Sequence, residues 1–108
     1  MWLFLSDSFL SIVDKGDPSG KTLLVRARRK GDIERAFPGT EVVTGGGTDY
    51  RYRARLDRTI VAKTVGNSVM SLDYENFKNS VKERDRQDAY LQVWDAMFAF
   101  QERERIAK

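Results

Sequence analysis

Tyr50-Arg51-Tyr52-Arg53-Ala54-Arg55-Leu56 alternates arginine with aromatic or aliphatic residues without a break. Successive side chains on a strand point to opposite faces. The stretch reads as a strand, Asp49 to Leu56, with Arg51, Arg53 and Arg55 on one face. Tyr50, Tyr52, Ala54 and Leu56 share the other face and are expected in the core. An earlier stretch, Leu23-Leu24-Val25-Arg26-Ala27-Arg28, sets Arg26 and Arg28 against Leu23, Val25 and Ala27 in the same way. Where the two strands pair, or lie one apart, five guanidinium groups crowd one surface. Like charges set opposite each other in a sheet are destabilising, so this surface calls for an anionic partner, inside the chain or outside it.

Outward from these strands, Trp2 to Leu5 and Phe9 to Val13 read as one interrupted strand or two short ones, the first of them buried. Asp14 to Gly20 is a dense cluster of turn residues, and Thr22 to Arg29 is the next strand, giving a hairpin with a long loop. Gly31-Asp32 opens a short helix with Ile33, Ala36 and Phe37 inward, and Pro38-Gly39 ends it. Glu41 to Val43 reads as a brief strand and Thr44-Gly45-Gly46-Gly47-Thr48 as a flexible loop. Asp57 is expected to cap a helix lined by Val61, Val65 and Val69, weakened by Gly66. Asp73 is expected to cap a short segment carrying Tyr74, Phe77 and Val81.

Ser80-Val81-Lys82-Glu83 fits a capping box, and one long helix should follow to about Arg103. Tyr90, Val93, Trp94 and Met97 form its stripe, widened by Leu91, Phe98 and Phe100. The stripe predicts that Trp94 and Met97 are core residues and that this helix covers the apolar face of the sheet. The order of elements predicts an α+β fold with a small antiparallel or mixed sheet of three or four strands. Helices pack on one face, the C-terminal helix is long, and a ferredoxin-like split β-α-β arrangement fits. With neither repeat nor linker, residues 1–108 read as a single domain.

Composition narrows the chemistry. The chain has 108 residues, no cysteine and no histidine. Disulfides, thiolate or serine-histidine catalysis and the usual zinc sites are thereby excluded. The lack of cysteine fits a reducing cytoplasm. Met1 to Leu5 is too short to span a membrane and lacks the basic flank of a signal peptide. Residues 1–56 carry ten Lys/Arg against seven Asp/Glu, whereas residues 57–108 carry nine of each, so the net +3 lies wholly in the strand-rich half. Twelve of the nineteen basic residues are arginine, the type suited to bidentate pairing with carboxylate or phosphate.

Two readings of the arginine face compete. In one, acids such as Glu34, Asp85 and Asp88 meet the arginines in a solvated ion-pair lattice, as wet sheet faces allow. In the other, Arg26, Arg28, Arg51, Arg53 and Arg55 receive phosphates or an acidic protein. Nucleic-acid-binding sheets add aromatics that stack on bases. With Tyr50 and Tyr52 assigned to the opposite face, backbone phosphate contact is the form of nucleic-acid binding left. Gly45-Gly46-Gly47 lacks the lysine and helix of a phosphate loop. Asp85 and Asp88 lack a third ligand for a cation, so neither metal nor cofactor is expected. The surplus apolar residues Phe98 and Phe100 point to a secondary interface, with a homodimer as its simplest use.

Several segments taken together carry a resemblance: Trp2-Leu3-Phe4-Leu5, Phe9 to Val13, Leu24 to Arg28, Gly31-Asp32-Ile33-Glu34, Asp49-Tyr50 with Tyr52-Arg53-Ala54, Tyr74 with Asn76-Phe77-Lys78, and Ala89-Tyr90 with Val93-Trp94 and Ala96-Met97. The set resembles a family of small uncharacterised proteins of bacteria and mobile elements (phages or plasmids), over most of the chain. That resemblance implies a compact stand-alone domain and brings no catalytic residue. Small phage and plasmid proteins often bind a host defence component, as anti-CRISPR proteins do. The expectation is therefore a non-enzymatic binding module whose arginine face docks an acidic protein surface or a nucleic-acid backbone, one version being an inhibitor of a host CRISPR-type complex. The alternatives are direct non-specific nucleic-acid binding and a carboxylate/arginine enzyme acting on a phosphorylated substrate.

Overall fold

Short antiparallel connections order most of the sheet. In the computed structural model, which describes residues 1–45 and 49–107, the strands are β1 (Trp2–Leu5), β2 (Ser8–Val13), β3 (Thr22–Ala27), β4 (Val43–Thr44) and β5 (Tyr52–Asp57). They form one five-stranded sheet in the order β1-β2-β3-β5-β4, every neighbouring pair antiparallel. The α+β class with an antiparallel sheet and a long C-terminal helix is as the sequence predicts. The ferredoxin-like connectivity is not adopted. The chain leaves β3 through α1 (Asp32–Ala36), forms the edge strand β4, and returns as β5 between β3 and β4. The strand count rises because the N-terminal run is two strands, paired from Leu5↔Ser8 to Trp2↔Ser11. The first of them is a sheet edge rather than a buried strand, and Trp2 is exposed.

The chain divides into two compact units, Met1–Asp73 and Tyr74–Lys108. In the first, one sheet face carries the core. Leu10 and Ile12 of β2, Val25 and Ala27 of β3, Ala54 of β5, and Ile33, Phe37 and Val61 are buried together. Leu3, Leu23, Tyr52 and Leu56 pack around them. Asp32, almost fully buried, fastens α1 to the sheet. One of its oxygens accepts the Phe9 N–H at 3.0 Å and the other pairs with Arg35. Phe9 lies past the end of the β2–β3 register, so Asp32 satisfies a backbone donor that the ladder leaves over.

Helix α2 (Arg58–Met70) follows β5 directly. Asp57 stands at its N-cap, but its side chain makes no capping bond. Instead the Arg58 N–H donates to the Lys21 carbonyl at 2.8 Å. Val61 is buried and Val65 half-buried, whereas Val69 is exposed, so the predicted valine line meets the core over its first half alone. Gly46, Gly47 and Thr48 of the predicted glycine loop lie outside the described residues.

The second unit pairs α3 (Phe77–Ser80) with α4 (Arg84–Ala107), which at 24 residues is about 36 Å long. Asn76, not Asp73, caps α3, accepting from the Asn79 N–H. Ser80 donates to the Phe77 carbonyl at the end of α3, and α4 begins at Arg84. The ring of Phe77 stacks on Tyr90 at 5.6 Å, and Gln87 donates to the Lys78 carbonyl at 2.8 Å. Trp94 and Met97 are 62% and 58% exposed, which corrects their assignment to the core. Helical spacing shows which residues share a face, not what covers it. Trp94 stacks on Phe98 of its own helix at 5.4 Å. Among the described residues no helix is long and apolar enough to cross a membrane.

Candidate anion-binding sheet face

The pairing registers build the site. Trp2↔Ser11, Ser11↔Arg26, Arg26↔Arg53 and Val43↔Arg53 are direct cross-strand partners, and such partners stand on one side of the sheet. One row therefore crosses all five strands on the face opposite the core: Trp2, Ser11, Arg26, Arg53, Val43. The neighbouring row is Val13, Leu24 and Arg55. Arg26, Arg53 and Arg55 thus share a face, with Tyr52, Ala54 and Leu56 turned inward, as the alternation predicts.

Tyr50 departs from it. Residues 49–51 form a bend ahead of β5, and the alternation is broken there. The ring is buried, but beneath arginines rather than in the core. The Arg26 guanidinium lies 4.5 Å from its centroid and that of Arg28 4.1 Å. Tyr50 is a platform that holds two cations by stacking on them. Arg51 is exposed within the bend, its carbonyl accepting from the Gly45 N–H at 2.9 Å, so it borders the face rather than standing in its rows.

Each arginine has its own setting. Arg26 donates through Nη2 to Ser11 Oγ at 2.8 Å, covering a serine that is almost fully buried. Arg28 pairs with Asp49 at 3.4 Å, both side chains being largely exposed, where such a pair contributes little. Arg55 donates to Thr22 Oγ1 at 3.2 Å and to the Lys15 carbonyl at 2.9 Å. Its guanidinium also fills the space over Gly16, where a Cβ would stand 2.7 Å from Nη2 on a backbone with φ of +86°. Arg26 and Arg53 stand opposite each other, and the Nε of each is buried without a hydrogen-bond partner.

Carboxylates do not neutralise this pair. Among the described residues neither Arg26 nor Arg53 has an acidic partner, and Glu34 pairs with none of the face arginines. Asp57 ends β5 opposite Thr22 without pairing with Arg55. The acid that orders this region is Asp17. It accepts from the Thr22 hydroxyl at 2.6 Å, the Ser19 hydroxyl at 2.7 Å and the backbone N–H groups of Ser19 and Thr22. The Thr22 hydroxyl first, then the Ser19 bonds, hold its carboxyl far below the usual carboxylate range. The Thr22 hydroxyl thus donates a hydrogen bond to Asp17 and accepts one from Arg55, linking the loop to the arginine face.

Three aromatic residues that sequence reasoning left off this face stand on it. Trp2 is 65% exposed and meets Phe9 edge-on at 5.9 Å between centroids, and Phe9 packs on Phe4 at 4.7 Å. The signal was the two-residue turn between Leu5 and Ser8. It sets Phe4 opposite Phe9, and alternation then carries Trp2 and Phe9 to the side of Ser11 and Arg26. A groove of about 620 Å³ opens between α1, β5 and α2, lined by Phe37, Pro38, Leu56, Ile60 and Thr64 among others, with Val43 and Arg55 also bordering it. Phe98 and Phe100 are exposed on α4, with Arg103 over the Phe100 ring at 5.3 Å. Among the described residues no three acidic side chains gather where a metal ion could be held.

Fold and site define an α+β protein with an arginine-bearing sheet face. Comparisons with protein-family models, with curated proteins and with solved structures find no match to this chain.

Proposed function

We propose that the chain is a non-enzymatic binding module of the cytoplasm. The face formed by Arg26, Arg28, Arg53 and Arg55, with Arg51 at its margin, docks an acidic protein surface or a nucleic-acid backbone. One observation carries this reading. Arg26 and Arg53 oppose each other without a carboxylate, each with a buried Nε lacking a partner. A buried donor left unmade costs folding free energy, and like charges set opposite each other in a sheet add to that cost. Both residues are half-buried, so an incoming anion reaches the open part of each head group and offsets the like-charge cost. Inhibition of a host defence complex is the concrete form suggested by the resemblance to small mobile-element proteins. Phe98 and Phe100 offer a secondary interface on α4, for a second copy of the chain.

The test is fluorescence anisotropy with labelled polyglutamate and a labelled DNA duplex. The wild-type chain should bind at least one of these polyanions. Arg26→Glu/Arg53→Glu should lose that binding while keeping its circular dichroism spectrum. Full binding by the folded double variant rejects the arginine face.

A further inference from the structure

We infer that the partner is a single-stranded nucleic acid, lying across the strands along the row from Trp2 to Arg53; this rests on the arginine-face reading above. The row joins two chemistries on one line. Trp2 offers an exposed indole, held edge-on by Phe9. Two strands away stands Arg26 and three strands away Arg53. Neighbouring strands lie about 4.8 Å apart, so Trp2 and Arg53 are separated by about 14 Å of sheet.

An acidic protein would engage the arginines, but its carboxylates have no use for the indole. A duplex offers phosphates, yet its bases are stacked on one another and closed to an outside ring. An unpaired strand has both a backbone charge for each nucleotide and a free π-face for each base. Single-strand sites combine a basic track with aromatic platforms in this way. Of the rings on this face, Tyr50 is already covered by Arg26 and Arg28, so the stacking platform is Trp2. Ser11 lies between Trp2 and Arg26 in the row, almost fully buried, its hydroxyl accepting from the Arg26 guanidinium.

The test uses the full chain carrying Trp94→Phe, so that Trp2 is the remaining tryptophan. The probes are an oligo-dT of about 15 nucleotides, near the upper limit for one such site, a duplex of equal length, and polyglutamate. Oligo-dT should quench Trp2 emission and bind about tenfold more tightly than the duplex at equal salt. Trp2→Ala should weaken oligo-dT binding about tenfold, within the range for one lost stacking contact, and leave duplex and polyglutamate binding unchanged. Arg53→Gln should weaken every polyanion. Equal affinity for duplex and single strand, or oligo-dT binding indifferent to Trp2→Ala, overturns the single-strand inference and leaves the arginine face standing. Binding of polyglutamate alone does the same. Failure of the wild-type chain to bind any polyanion overturns both.

Discussion

Replacing Arg53 with methionine should make the fold more stable. Met keeps an unbranched apolar stem on the side of the sheet that Leu24 shares, and removes the guanidinium. Two penalties disappear with it. A buried polar group left without a partner costs roughly 1–3 kcal/mol, and the Arg53 Nε is such a group. The like-charge opposition to Arg26 adds roughly 0.2–1 kcal/mol. Arg53 is half-buried, so water reaches part of the head group and the lower ends of these ranges apply. The net gain is then about 1 kcal/mol. With a urea slope of roughly 1–3 kcal/mol per M for a small protein, the midpoint should rise by roughly 0.3–1 M. Urea titration followed by circular dichroism measures it. A midpoint lowered by a similar amount would show that the Arg53 head group supports the fold, and the idea that it is retained for binding would fail.

Other outcomes follow from the packing. Leu10→Ala, at a fully buried position in the core, should cost about 2–5 kcal/mol, read as a fall in the same midpoint; a loss below 1 kcal/mol would place Leu10 outside the core. Trp94→Ala, at an exposed position, should change stability by about 0.5 kcal/mol or less, and a large loss would show that Trp94 is covered. The Asp17 carboxyl is held below its ordinary pKa by Thr22 and Ser19. Its contribution is fully present above the ordinary carboxylate pKa and is lost as pH falls through the lowered folded value. The wild-type thermal midpoint should therefore drop more steeply between pH 5 and pH 2 (roughly the carboxylate range) than that of Asp17→Asn, and parallel curves would show that the loop network is not formed.

The interior of the sheet was legible because burial on one face writes itself as alternation. Tyr52, Ala54 and Leu56 turn inward and Arg53 and Arg55 outward because a one-residue slip would exchange the whole set. Tyr50 escaped this logic. The period-2 pattern continues through it in sequence, but the backbone bends at residues 49–51 and the ring leaves the core for the arginine stack. Trp2 and Phe9 were hidden for the opposite reason. Every residue from Trp2 to Leu5 is apolar, so composition could not say which faced the core, and the choice fell to the hairpin register. The stripe on α4 shows the same limit. Its spacing was read correctly as a helix face, whereas its exposure depends on tertiary packing that no local period encodes. Asp17 was visible as part of a turn cluster; two of its four hydrogen bonds depend on Thr22 returning to meet it.

If the arginine row is an anion-binding surface, its affinity for a polyanion must weaken as salt rises. Affinity for an oligo-dT probe should fall linearly on a plot of log K against log salt concentration. Arg53→Gln, which removes one cation of the row, should reduce the slope by about 0.7, the single-strand value for one phosphate contact. An affinity that ignores salt, or a slope identical in the wild-type chain and Arg53→Gln, would contradict the account.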